Sequence, residues 1–334
     1  MKLILIGLMI LLSAGIVPLF SGRRGGFASL CAIAGTFSCL LLSLPACILC
    51  IIHGGSFHYS RPMSLPFANF ALGLDPLSAI FLIPLLSLSV LCAVFGAGYM
   101  SGHGKSSSPG WFFFCLMVLG MSLVVLARNA MLFLIAWEIM TLASFFLVTY
   151  ENEKKEARTA GWIYLAASHV GAAFIFAVFA ILGRHGGNLD FESFELLRQG
   201  SLASVSVFIF AVIGFGSKAG FVPLHIWLPE AHPAAPSHVS ALMSGIMIKL
   251  GIYGILRTLM FLGEPRLWWG VVFIAVGVSS ATTGIVFAVA SRDIKRLLAY
   301  SSIENIGIIS LGLGLGMAGM ACGQIGRASC RERV

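Results

Sequence analysis

The sequence predicts an all-α fold, a polytopic bundle of transmembrane helices, and three observations carry that expectation. Of 334 residues, 58% are hydrophobic and only 10% are charged, against roughly 25% charge in a soluble domain. The mean hydropathy is +0.97. Apolar runs of about 20 residues, the length of helix that crosses a hydrocarbon core, recur along the whole chain. Together these exclude a water-soluble fold, a disordered chain, a disulfide mini-protein and an outer-membrane barrel, whose strands alternate over short segments. The excess of 21 Lys and Arg over 13 Asp and Glu gives +8. It lies mostly in short loops, where it sets membrane orientation, so no nucleic-acid partner is expected.

Ten spans follow from the apolar runs, near 3–20, 27–52, 75–99, 111–127, 131–149, 159–183, 204–228, 237–261, 268–290 and 297–320. The first is too long for a signal-peptide core, and Arg23-Arg24 follows where a cleavage site would need small residues, so it reads as a retained helix. Alternate loops carry unequal positive charge. Arg23, Arg24, Lys105, Lys154, Lys155, Arg158, Arg292, Lys295 and Arg296 fall on one side, and Lys2, Arg61, Arg128, Arg184, Arg198, Arg257 and Arg266 on the other. The larger set places the 151–158 and 291–296 loops in the cytoplasm. Asp75-Pro76 reads as a helix cap with proline at the first position, and Glu151 to Arg158 as a solvated loop with local ion pairs. After Met320 the chain turns abruptly to Gln-Ile-Gly-Arg-Ala-Ser-Cys-Arg-Glu-Arg-Val. Residues 323–334 read as a non-native tail, from a truncated or misjoined frame.

Most of the eight cysteines sit in apolar runs and read as small buried hydrophobes. Cys47 and Cys50 form a C-x-x-C inside a span with no second pair, which gives no metal or iron-sulfur site. No cofactor and no metal are expected.

Charges at bilayer depth carry the functional reading. A charged group at the centre of a spanning helix costs roughly 2.5–3.5 kcal/mol on insertion scales, so it faces protein or water. Glu138 lies about 10 Å and 16 Å from its helix ends, and Lys249 about 18 Å from either end, at 1.5 Å per residue. Lys218 falls in Gly214-Phe-Gly-Ser-Lys-Ala-Gly220-Phe-Val-Pro223. Pro223 cannot donate to the carbonyl of Ala219, so the helix should break beside Lys218, with Gly220 allowing the bend. Broken spans survive where freed backbone meets protein or water. His225, His232 and His238 follow, groups that titrate near neutral pH, and His169 lies in the preceding span. A carboxylate, two lysines and intervening imidazoles make a proton relay that needs no metal. The competing readings are structural: Glu138 with Lys218 as a static ion pair, Lys249 as a donor to a broken helix, and His169 as an interhelical hydrogen-bonder.

The block from Lys218 to Arg257, Lys-x-x-x-x-Pro-x-His-x-Trp-Leu-Pro-Glu-Ala-His followed by Pro-Ser-His-Val-Ser-Ala-Leu-Met-Ser-Gly-Ile-Met-Ile-Lys-x-Gly-x-Tyr-Gly-x-x-Arg, resembles the antiporter-like subunits of respiratory complex I, multi-subunit sodium/proton antiporters and membrane-bound hydrogenases. Trp137-Glu138 and Asp293-Ile-Lys295-Arg296-Leu-Leu-Ala-Tyr300-Ser-Ser are similar to further signatures of that family. The run Tyr300-Ser-Ser-Ile-Glu304-Asn305 looks most like hydrogenase-4 component B and the formate hydrogenlyase membrane subunit. Complex I members commonly have histidine where Asn305 stands; Glu304 is the titratable group there, or else a helix-surface carboxylate.

The resemblance implies about fourteen helices in two inverted five-helix repeats, each with a broken helix. On that plan 1–110 holds N-terminal helices, 111–261 the first repeat with its break near 214–236, and 262–322 the start of the second. It also implies partners: membrane and soluble subunits of a hydrogenase or complex-I-like assembly, the lipid bilayer, and protons or sodium as cargo. Three functions compete: a proton-translocating subunit driven by redox partners, an antiporter subunit without them, and a passive anchor. A bacterial or archaeal cytoplasmic membrane is the expected location.

Overall fold

The computed structural model describes residues 1–21, 25–62, 69–102, 108–194 and 201–331, the side chains of residues 25, 62, 102 and 323–331 excepted. Arg23, Arg24, Lys105 and Arg198 of the charge count lie outside the described residues, as do the side chains of the 323–334 tail. Among the described residues, ten helices are long and apolar enough to cross a membrane. In chain order the helices are α1 (Lys2–Phe20), α2 (Gly25–His53), α3 (Pro76–Gly102), α4 (Ser108–Leu126), α5 (Ala130–Val148), α6 (Lys155–Gly186), α7 (Leu202–Ala219), the short α8 (Leu228–Ala234) and α9 (Ser237–Leu242), α10 (Ile248–Leu262), α11 (Leu267–Ala290) and α12 (Ile294–Arg331). A π-helical turn, Met243–Met247, joins α9 to α10, so the two read as one span.

Two features depart from the sequence reading. The span expected over 204–228 closes at Ala219. Gly220 takes the left-handed conformation (φ 85°) and the N–H groups of Gly220 and Phe221 both return to the carbonyl of Gly216. The helix therefore stops four residues before Pro223, and glycine, with no Cβ penalty, is the stop signal. The second departure is a hairpin, β1 (Phe57–Pro62) with β2 (Asn69–Leu74), paired antiparallel with Phe57 opposite Leu74. Its short strands sit between two strong helical runs and carry little signal of their own. The bundle itself packs α4 with α5, α6 with α7, α7 with α10, and α11 with α12. Gly251 shows how closely: a Cβ there would stand 2.5 Å from the carbonyl oxygen of Phe215 on α7.

Asp75 is a cap, as its sequence suggests, accepting from the Ser78 N–H at 2.8 Å. It is also the hub of a charge knot. Arg257 of α10 reaches both carboxylate oxygens, at 2.6 and 3.0 Å, and Arg128, between α4 and α5, stands at 3.2 Å. Both guanidiniums donate to Ser78 Oγ, and Arg257 also donates to Tyr253 OH. Burial by itself would raise the Asp75 pKa; the hydrogen bonds and charge of Arg257, then the charge of Arg128, outweigh it and hold the carboxyl well below the usual carboxylate range. Asn129 caps α5 through its side-chain oxygen and donates to Asp190 at 2.8 Å. This end of the bundle is thus tied by matched groups.

Candidate functional site

Lys218 occupies the last turn of α7 and is 2% exposed. Its ammonium donates to Tyr164 OH of α6 at 2.7 Å and to Thr141 Oγ1 of α5 at 3.1 Å. Tyr164 OH is in turn 2.5 Å from Ser144 Oγ. The rings of Tyr164, Trp227 and Trp137 surround the ammonium with centroids at 4.7, 5.9 and 6.0 Å, within reach of cation–π attraction. The Trp227 indole N–H donates to the Ser217 carbonyl at 2.8 Å, so a ring beyond the helix break is pinned beside the lysine. Every one of these partners is formally neutral.

Glu138 does not complete this nest. Its Oε2 lies 3.5 Å from His169 Nε2, and both side chains are partly exposed on the outer side of α5 and α6. Among the described residues no ion pair joins Glu138 to Lys218. The static pair of the sequence reading is therefore not the arrangement seen. Glu138 and Lys218 share a neighbourhood through helix α5, which supplies Glu138, Trp137 and Thr141 together.

Lys249 begins a second cluster, where its Nζ donates to the Ser244 carbonyl at 2.7 Å. The π turn around Ser244 widens the helix at this point, a device that recurs at functional sites. Ser244 Oγ meets Ser302 Oγ of α12 at 2.6 Å. One turn earlier, Ser240 Oγ is 2.8 Å from His232 Nδ1 on α8. The pairs 232–240 and 244–249 thus set polar groups one turn apart along α9 and the π turn, between the half-helix α8 and the second lysine. Lys295 of α12 donates to the carbonyls of Ala235 and Pro233 at 2.8 and 3.3 Å, and Arg296 grips both oxygens of Glu230 at 3.0 Å. These contacts hold α8 against the start of α12.

Of the remaining expected residues, His225 lies half-buried in the 220–227 loop with Nδ1 unpartnered. Glu304 is half-buried on α12 and makes no hydrogen bond or ion pair among the described residues. Pro223 lies in the loop beyond the break that Gly220 makes. Sequence reasoning passed over Tyr164, Thr141, Ser144, Trp227, Ser240, Ser244 and Ser302, which supply most of the partners. The signal available was weak: Thr141 and Ser144 lie one and two turns beyond Glu138, on a helix face otherwise read as apolar.

The profile of the family described as NADH:quinone oxidoreductase/Mrp antiporter, TM, matches residues 127–326, which includes both lysines and Glu138. The chain is 43% identical over 260 residues to hydrogenase-4 component B of Escherichia coli (strain K12), covering 76% of this chain and 38% of that protein. It is 33% identical over 264 residues to formate hydrogenlyase subunit 3 of the same organism, covering 78% and 41%. The chain therefore spans about two fifths of the length of these relatives. A solved structure, the Mrp complex from Dietzia sp. DQ12-45-1b, superposes with a TM-score of 0.82 at 24% identity, over 94% of this chain and 34% of that one, and is similar in fold.

Proposed function

We propose, for a chain that belongs to the NADH:quinone oxidoreductase/Mrp antiporter transmembrane family, that it translocates protons within a membrane-bound hydrogenase, formate hydrogenlyase or NADH-quinone-oxidoreductase-like complex. On this reading partner subunits supply the redox energy, and the 149–154 turn and 291–293 segment face the cytoplasm of a bacterial or archaeal cell. The observation that carries the proposal is the setting of Lys218: a buried ammonium at a helix break with hydroxyls and rings around it and, among the described residues, no carboxylate bonded to it.

The hydroxyls of Tyr164 and Thr141 solvate the charged form when it is present; each also has a donor proton to offer the free amine. Lys218 can therefore be loaded and emptied without breaking an ion pair. Approach of Glu138 would favour the loaded state and withdrawal the empty one. Lys249, bonded to a backbone carbonyl, has the same property one cluster further on, and the Ser244–Ser302 contact ties it to α12.

The test is Lys218→Ala or Glu138→Ala in the full-length subunit of the native complex, assayed for proton movement in sealed vesicles and for dye-linked redox turnover. Proton movement should be lost while redox turnover of the assembled complex survives. Equal loss of both in an assembled complex counts against the proposal. The family also contains antiporters, so a second reading is a subunit of a sodium/proton antiporter; sodium-dependent proton exchange in the absence of any electron donor would favour it.

A further inference from the structure

His238 is the titratable group this function has not yet used. It lies in the first turn of α9, 4% exposed, with its ring 5.4 Å from that of Trp111 in a stacked arrangement and 5.7 Å from that of Phe114. Gly96 of α3 makes the room: a Cβ there would stand 2.8 Å from His238 Cγ. Among the described residues nothing receives or donates at Nδ1 of this buried ring. His232, 1% exposed and already bonded to Ser240 through Nδ1, has its Nε2 unpartnered as well. Buried polar atoms are ordinarily satisfied, by ordered water where protein does not suffice. Two such nitrogens lie at either end of one turn, residues 233–236.

That turn is also the wall of a cavity. A polar hollow of about 220 Å³ is lined by Tyr99, Tyr150, Glu151, Lys154 and Lys295 together with the 233–236 turn. A second, small cavity of about 10 Å³ is lined by His238, Trp111 and Leu147 and shares Met100, Tyr150 and Pro236 with the first. Its size is about that of one water. A water there would join the imidazole of His238 to the larger hollow.

Building on the function proposed above, we infer that this hollow and His238 form the mouth by which protons enter from the side of the 149–154 turn, with His238 handing them to His232 and so to Ser240, Ser244 and Lys249. A hydronium in the small cavity gives its proton to the free lone pair of the ring, forming one N–H bond. The ring then releases the proton from its other nitrogen toward His232, ending neutral with its tautomer reversed. At the rim Glu151 is ion-paired with Lys154, which keeps a carboxylate beside the entry, and Lys295 disfavours a second positive charge while one is in transit. Tyr99 and Tyr150 supply hydroxyls along the way.

The experiment uses the full-length subunit in its native complex, in sealed vesicles, with proton movement and redox turnover measured on the same preparation. H238Q keeps a polar side chain and cannot carry a proton; it should slow proton movement by about tenfold or more with redox turnover retained, and H238A should regain flux when imidazole is added, which a packing role would not produce. Full flux in H238Q beside no flux in Lys249→Ala overturns the mouth and leaves the proposed function standing. Full flux in both overturns the function itself. If neither His238 variant assembles, E151Q at the rim decides: slowed uptake supports the mouth, and unchanged uptake overturns it.

Discussion

Two buried cationic regions of this chain are built on opposite principles. At the end of the bundle where α3, α5 and β2 meet, Arg257 and Arg128 share Asp75, with Ser78 accepting from both guanidiniums and Tyr253 from Arg257. At the break in α7, Lys218 has two hydroxyls and three rings and, among the described residues, no anion bonded to it. An arginine stays protonated in any protein, and a carboxylate beside two of them stays ionised, so the first region holds one charge state. The lysine is held by hydroxyls and rings, and no ion pair among the described residues ties it to one partner. Both regions are buried, so it is the partner set, more than burial, that sets the two apart, and on the function proposed above it is the lysine that works.

Removing the shared anion should have the largest effect. Asp75→Asn leaves two buried guanidiniums facing each other without a counter-charge and should cost about 3–5 kcal/mol, read as a large fall in thermal stability in detergent or as loss of the folded protein. Lys218→Met should do the reverse. It removes a charge whose partners keep each other, since Tyr164 retains Ser144, so stability should move by no more than about 1.5 kcal/mol while proton movement is lost. If Lys218→Met destabilised as strongly as Asp75→Asn, the distinction between the two regions would fall.

Tyr164→Phe sharpens the second half. The ring stays over the ammonium, but the hydroxyl between Lys218 and Ser144 goes, and the lost charge-assisted hydrogen bond should cost about 1.5–3 kcal/mol, seen as a lowered midpoint of unfolding together with slower proton transfer. The pH response separates the regions again. Because the Asp75 pKa is lowered in the fold, its contribution is complete above the unfolded carboxylate value, about 3.9, and is lost only as pH falls through the lower folded value. Stability of the knot should be flat between about pH 5 and 8 and decline in strong acid, a profile that Asp75→Asn abolishes. The smallest effect belongs to His169→Ala. Its pairing with Glu138 is exposed, and a change of about 1 kcal/mol or less is expected.

Much of the architecture was legible in the residues. The ten apolar runs predict the ten helices because no other backbone arrangement satisfies its own hydrogen bonds in lipid, and Asp75-Pro76 announces the start of α3. The break near Lys218 was legible too, although Gly220, and not Pro223, turns the chain. The hairpin was not, because strands of six residues with mixed polarity give no periodicity that survives beside a helix of 29. At the site, the charges stood out as anomalies in apolar runs, whereas Tyr164, Thr141 and Ser302 are ordinary residues for a helix interface and gave no such contrast.

By itself, then, the sequence determined that this chain crosses a membrane many times, that a span breaks beside Lys218, and that Glu138, Lys218 and Lys249 sit at depths where a charge needs a reason. Hydropathy and insertion cost are local quantities, summed along one helix, so they can be read in order. Which groups answer those charges is decided between helices. Only the packing of α5, α6 and α7 puts Thr141 and Tyr164 at Lys218 and turns Glu138 toward His169. Only α10 laid against the start of α3 brings Arg257 to Asp75, 182 positions apart in the chain. Pairing depends on distances across the bundle, which a one-dimensional pattern does not contain.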